Sequence, residues 1–368
     1  MTDSMAKLLK VGSLLLLLVL ALLFPFIAGN STYVTIAIFA FGFAAAATGW
    51  NVFSGYTGYI ALGHAAYYGI GGYTLAILCQ HWHIAGGWIP FLLVPLAGLV
   101  AAVFSVPLGA IALRTRRHTF VVVTIATFFI LQLMSYNLRG LTNGSSGIDF
   151  PLITDWGINI PGISFADFYV LPFYYVALAL TLVALAVSWF VRNSKFGLGL
   201  LAIRDDEDRA LGLGVRTGPS KLIAFVISAF FAGMAGALLS YYIGGVQPTF
   251  TFDALFDVAI ALMVFFGGIG TLAGPILGAL VLESVQKYSA TVFIQGGGGV
   301  YLIIYGALFL VVVLLLPQGV IPSLSILWNK YVLRRIEPTD AAEDTSAGTP
   351  GVGPVGDRVP RVNEGASA

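Results

Sequence analysis

The chain has 368 residues, 58% of them hydrophobic and only 10% charged, with a formal net charge of +1 and a mean hydropathy of +0.92. A soluble domain is about a quarter charged, so this composition excludes a water-soluble globule. The single cysteine, Cys79, excludes an internal disulfide and argues against a cysteine-held metal cluster. No metal, cofactor or nucleic-acid partner is expected.

Apolar runs between polar or Gly/Pro breaks predict about ten membrane-spanning helices, the pattern of an all-α polytopic membrane protein. They fall near 11–29, 34–53, 59–80, 88–113, 118–137, 169–191, 221–243, 254–270, 272–293 and 298–316. The first follows Lys7 and Lys10 like a signal peptide, but it runs on to about Ala28 without a small-x-small cleavage site, so it reads as a span. With the N-terminus inside, every Lys and Arg except Arg139 and Lys287 falls in a cytoplasmic segment. That bias, with the basic flank after the last span, requires an even number of crossings and two cytoplasmic termini.

Residues 138–168, with Asp149, Asp155, Asp167 and several glycines and prolines, read as an irregular extracytoplasmic loop. The membrane domain is taken as 1–336. The tail at 337–368 is rich in Ala, Gly, Pro and acids, lacks the apolar content to fold, and is expected to be disordered in the cytoplasm.

The charge is concentrated in one mid-chain loop, 192–221, with six basic and four acidic side chains. Phe196, Leu198, Leu200, Leu201, Ile203, Leu211 and Leu213 are apolar residues set outside the membrane there. Flanked by Arg204, Asp205, Asp206, Glu207, Asp208 and Arg209, they predict a short amphipathic helix with an ion-pair rim. Apolar anchors seated in a partner's groove would supply binding energy, and the charged rim would fix register. A helix lying on lipid headgroups is the alternative, but four consecutive acids would be repelled by an anionic leaflet.

Two glycine-rich stretches, Gly55–Leu78 and Met263–Leu280, admit two readings. Glycines let helix backbones approach closely, and Gly/Pro-interrupted segments in both halves of a chain mark unwound helices beside a transport path. Within the first, His64 is flanked by Tyr59, Tyr67 and Tyr73; it reads as a hydrogen-bonded packing residue or as a proton relay or solute contact. Thr124 and Thr127 could line the path or bond back to their own helix. Glu283 and Lys287, four apart with the acid first, read as an intrahelical pair facing protein. Asp253 and Asp257, near the start of the eighth span, read as caps at a helix N-terminus.

Three motifs resemble the LivM-type permeases of branched-chain amino-acid ABC transporters: GYIALGHAAYYGIGGYTLA in the first half, SKFGLGLLAIRDDEDRALGLGVRTGPSKLIAFVISAFFAGMAGAL across the charged loop, and MVFFGGIGTLAGPILGA in the second half. The resemblance extends from about residue 35 to 322, closing on YGALFLVVVLLLPQGV. It implies a permease subunit of the bacterial plasma (inner) membrane that passes branched-chain or other apolar amino acids. The implied partners are two ABC ATPases, a LivH-like sister permease, an extracytoplasmic solute-binding protein and membrane lipid. It further implies that Gly197, Leu200, Leu201, Ala202, Ile203, Arg204 and Asp205 belong to the coupling helix that inserts into the ATPase. The substrate-path candidates are Tyr59, His64, Tyr67, Thr124, Thr127 and Asp257. The family more often has a small hydroxyl residue near Asp257, so an acid there could attract a substrate ammonium group.

The chain is not expected to be an enzyme. None of its six lysines follows a glycine, so no Gly-Lys-Ser/Thr phosphate loop exists and ATP must be bound by partner subunits. Urea or a short amide is the alternative cargo. An ion-coupled secondary transporter would want a midplane carboxylate, for which Glu283 and Asp257 are the candidates. A membrane-embedded enzyme lacks a nucleophile–base pair on any shared face.

Overall fold

The computed structural model describes residues 3–84, 86–151 and 165–293, with 306–307, 310 and 319–323. The span expected at 298–316 falls almost entirely outside the described residues, and the tail at 337–368 wholly outside.

In chain order the long helices are α1 (Asp3–Ala28), α2 (Ser31–Trp50), α3 (His64–His81), α4 (Ile89–Ala112) and α5 (Arg117–Asn137). A short helix α6 (Arg139–Thr142) precedes α7 (Phe165–Asn193). Two helices, α8 (Lys195–Asp205) and α9 (Glu207–Gly212), occupy the charged loop. Then come α10 (Thr217–Ile243), the short α11 (Pro248–Thr251), α12 (Ala254–Gly267) and α13 (Gly274–Phe293). Among the described residues six helices are long and apolar enough to cross a membrane, at Ser31–Gly55, Ile89–Ala112, His118–Asn137, Tyr169–Asn193, Thr217–Ile243 and Pro248–Gly267. A shorter apolar helix covers Leu15–Ala28.

Side-chain size decides which helices lie inside. In an 18-residue apolar window of Ser31–Gly55, with its run of Ala and Gly, 89% of the residues are buried, against 22% in that of His118–Asn137, built from bulky aliphatics and phenylalanines. Lipid tails are as apolar as leucine, so small residues rather than hydrophobicity bring helices together at the centre. There α2 packs on α7, α10 and α13, while α10 also packs on α3 and α4. The α3–α10 contact is set by glycine: a Cβ on Gly236 would sit 2.0 Å from the Tyr68 carbonyl oxygen, and one on Gly71 would sit 2.0 Å from that of Gly233.

The 27 residues of α10 span about 40 Å and separate two ends of the bundle. At one end, a two-residue strand β1 (Ile148–Asp149) pairs antiparallel with β2 (Gly245–Val246), Ile148 opposite Val246. Phe150 N donates to Gly244 O at 2.9 Å and extends the tie. At the other end, α8 and α9 lie against a second apolar cluster that includes Phe53, Phe120, Leu200 and Phe225.

The expected span at 59–80 needs correction. Residues 58–63 are not helical, and α3 starts only at His64. The eighth span likewise ends at Gly267 rather than 270.

Candidate functional site

Both glycine-rich stretches are interrupted helices. The first half leaves α2 through a π-helical turn, Asn51–Gly55, and runs irregularly over 58–63, where Gly58 has φ +74°. In the second half α12 stops at Gly267, and Gly268 and Gly270, at φ +118° and +76°, carry the chain to α13. Unwound backbone inside a membrane protein must find partners within the protein. Trp50 Nε1 donates to Ala61 O at 2.8 Å, and Leu62 N donates to Thr124 Oγ1 at 3.2 Å. Asn51 joins the two breaks: its Nδ2 donates to Thr271 O at 2.9 Å, and its Oδ1 accepts from Gly270 N at 2.8 Å.

The charged loop reaches the same place. Arg204 donates from Nη1 to Gly55 O at 3.0 Å, and Arg192, in the last turn of α7, donates from Nη1 to Gly270 O at 3.0 Å. Ser194 caps α8 by accepting from Gly197 N. Asp206 is the N-cap of α9, accepting from Asp208 N and Arg209 N at 3.1 and 3.0 Å. One of the four acids therefore terminates a helix and starts another instead of lining a single rim. The Arg116–Asp208 pair, 3.3 Å apart and mostly exposed, contributes little.

Glu207 turns inward. Its Oε1 lies 2.5 Å from Lys221 Nζ, and its Oε2 accepts from the Tyr59 hydroxyl. Burial would raise the Glu207 carboxyl. The hydrogen bonds from Lys221 and Tyr59, helped by the positive charges of Lys221 and Arg116, outweigh burial and hold it below the ordinary carboxylate value. A depressed folded-state value means that the contact stabilises fully above the unfolded pKa of about 4.3 and loses that effect as pH falls through the folded value. Glu207→Gln would leave Lys221, 4% exposed, without its counter-charge. A loss of about 3 kcal/mol is expected, read as a lower melting temperature in detergent. Adding Lys221→Met is expected to recover most of it. A Glu207→Gln protein that melts like the parent would contradict the pair's role.

The apolar side chains of α8 do not all face outward. Leu200 and Ile203 are 0% and 3% exposed within the chain's own bundle. Gly197 is also buried, and a Cβ there would lie 2.0 Å from the Val191 carbonyl oxygen. Leu201 and Ala202 are half-buried, and Arg204 and Asp205 are exposed. Leu200 and Ile203, expected on the coupling helix, thus face the chain's own core. An amphipathic pattern cannot tell which of two apolar partners covers its inner face. The outward apolar surface consists of Leu198, Leu211 and Leu213, with Leu213 85% exposed.

Of the path candidates, His64, Tyr67 and Asp257 meet at the start of α3. Asp257 Oδ1 accepts from His64 N at 2.7 Å and from Ala65 N at 3.1 Å. His64 Nε2 lies 2.6 Å from Ser228 Oγ, and its ring meets Tyr67 and Phe225 edge-on. Asp253 caps its own helix through Leu255 N, but Asp257 caps another. Thr124 and Thr127 both bond back to their own helix, at Val121 O and Val123 O. Tyr59 belongs with α9. Cavities of about 480 and 230 Å³ lie at the strand end. Asp149 borders both, and none of the six path candidates lines either. Glu283 is 1% exposed, and Lys287 Nζ stands 3.7 Å over the Phe39 ring. Asn51 and Arg192 were not singled out from sequence. An asparagine inside an apolar run was the available signal for the first.

Residues 32–314 match the family described as branched-chain amino acid transport system / permease component. The chain is 31% identical over 328 residues to the high-affinity branched-chain amino acid transport system permease protein LivM of Escherichia coli K12, covering 84% of this chain and 74% of that one. It is 26% identical to the LivH permease protein of Salmonella typhimurium LT2, over 79% of this chain and 92% of LivH. A shorter likeness, 35% identity over 111 residues, relates 29% of it to 31% of the autoinducer 2 import system permease protein LsrC of Yersinia pseudotuberculosis. No solved structure matches. The chain belongs to the permease-component family of the branched-chain amino acid transport system.

Proposed function

We propose that this multi-pass membrane protein is the permease subunit of an ATP-driven importer of branched-chain amino acids in the bacterial inner membrane. In this reading the chain crosses about ten times with both termini in the cytoplasm. It pairs with a LivH-like sister permease, receives solute from an extracytoplasmic binding protein, and docks two ATPases on α8 and α9. ATP stays in those partners, and this chain carries out no chemistry on its cargo.

The observation that carries the reading is the double-sided build of the charged loop. Leu198, Leu211 and Leu213 face away from the bundle, while Arg204 and Glu207 on the same two helices reach into the interrupted spans. A surface helix with no partner has no use for three exposed leucines, whereas an ATPase groove does. Supporting the substrate, the relatives LivM and LivH are named as high-affinity branched-chain amino acid permeases.

The test is co-expression with the sister permease and the ATPases, followed by affinity capture. Leu198→Glu combined with Leu213→Glu is expected to weaken ATPase capture about 30-fold, the effect of losing one hot spot of roughly 2 kcal/mol. Leucine uptake should fall in parallel. Uptake that persists without any ATPase would overturn the reading.

A further inference from the structure

We propose that Arg192, Arg204 and Asn51 form a positioning clamp that moves the two interrupted spans together when α8 moves; this rests on the ATPase-docking reading above. Three observations converge. Gly55 O, in the π-helical turn before the first break, and Gly270 O, in the unwound link after α12, are more than 200 residues apart in sequence, and each accepts a hydrogen bond at 3.0 Å from an arginine of the charged loop or its border. Asn51 then bonds one stretch to the other at 2.8 and 2.9 Å through both ends of its amide. Finally, Arg204 is threaded between two glycines. A Cβ on Gly270 would lie 2.5 Å from Arg204 Nη1, and one on Gly58 would lie 3.2 Å from Arg204 Cγ. Both glycines have positive φ, so the same residues provide the turn and the room for the guanidinium.

The chemistry suits transmission. Charge-assisted bonds from a guanidinium to a carbonyl are stronger than neutral ones. A planar fork also fixes direction, which a flexible ammonium does not. Gly55 and Gly270 are buried, so their carbonyls depend on donors within the protein and follow the ones that satisfy them. Arg192 and Arg204 stand on either side of the Ser194 turn, one closing α7 and one closing α8. A shift of α8 therefore pulls Gly55 directly, and it pulls Gly270 through Asn51 and through the end of α7. The two interrupted spans then move as one body, against the sister permease of the reading above. Neither arginine needs to touch the cargo.

The experiment uses the full complex with both ATPases, the sister permease and the binding protein, reconstituted in liposomes. Arg192→Gln is the primary variant, because Arg192 belongs to α7 and not to the docking helices. ATPase capture and basal ATP hydrolysis are expected at parental levels. Stimulation of hydrolysis by leucine-loaded binding protein is expected to fall to about onefold, and leucine uptake at least tenfold. Arg192→Lys keeps the charge without the fork and is expected to restore part of the stimulation. It is also the variant to read if Arg192→Gln fails to accumulate. Parental stimulation in either variant overturns the clamp, and so does a loss of stimulation that only follows a loss of ATPase capture. If the parental chain captures no ATPase at all, the docking reading itself fails, and that result is distinct from a well-docked complex indifferent to Arg192.

Discussion

Gly236→Ala is expected to abolish accumulation of the folded protein in the membrane. The added carbon would stand 2.0 Å from the Tyr68 carbonyl oxygen and 2.7 Å from the carbon that bears it. Overpacking a core usually costs about 1–3 kcal/mol because side chains rotate aside. Here the obstacle is the backbone of α3, which can yield only if the helix moves. Gly71, facing the Gly233 carbonyl at the same 2.0 Å from the other side, removes any slack in that contact. Moving α3 off α10 would also pull His64 from Ser228, now 2.6 Å apart. A loss above about 3 kcal/mol is therefore expected, measured as membrane yield and melting temperature after solubilisation. Gly212→Ala is the matched control. Nothing lies within 4 Å of its Cβ, and a helical Gly→Ala change gains up to about 1 kcal/mol. A Gly236→Ala protein that accumulates and melts like the control would show that α3 and α10 do not meet as described.

That pair of helices also resolves the two readings of the glycines, which in the sequence stood side by side. Gly69, Gly71 and Gly72 meet Phe252, Gly233 and Ser240 and serve close packing. Gly58, Gly268 and Gly270, at positive φ, serve the interruptions. Hydropathy located the helices well where side chains and backbone agree: 88–113 became Ile89–Ala112, and 118–137 became Arg117–Asn137. It failed at Tyr59–Gly63, because those residues are apolar enough for a span while their backbone is unwound. The charged loop was legible as a helical surface but not as two helices, since the break depends on Asp206 acting as a cap. Which leucines point outward was not legible, because Leu200 and Leu198 differ only in what the rest of the bundle brings against them. The Asn51 contacts were out of reach for another reason. Their partners, Gly270 and Thr271, lie about 220 residues away, and no local pattern encodes a meeting at that separation.

The same distance hides the role of Asp257, where a substitution pair separates structure from transport. Helix α3 starts behind Gly63, which has no side chain to cap it, so its first amide groups need an acceptor from elsewhere. Asp257, 3% exposed and 193 residues on, supplies one oxygen to His64 N and Ala65 N. The positive end of the helix dipole favours the carboxylate there. Asp257→Ala would orphan two buried N–H groups, each costing about 1–3 kcal/mol. Loss of most folded protein and of uptake is therefore expected. Asp257→Asn keeps a carbonyl oxygen in place and gives up only the charge–dipole term, at most about 2 kcal/mol. It should accumulate, melt a little lower, and carry leucine with unchanged preference over its competitors. An ammonium-attracting carboxylate predicts the reverse: Asn would fold normally and lose affinity for the zwitterionic amino acid. Uptake competition in Asp257→Asn vesicles, paired with melting curves of both variants, decides between an acid that builds the path's wall and one that meets the cargo.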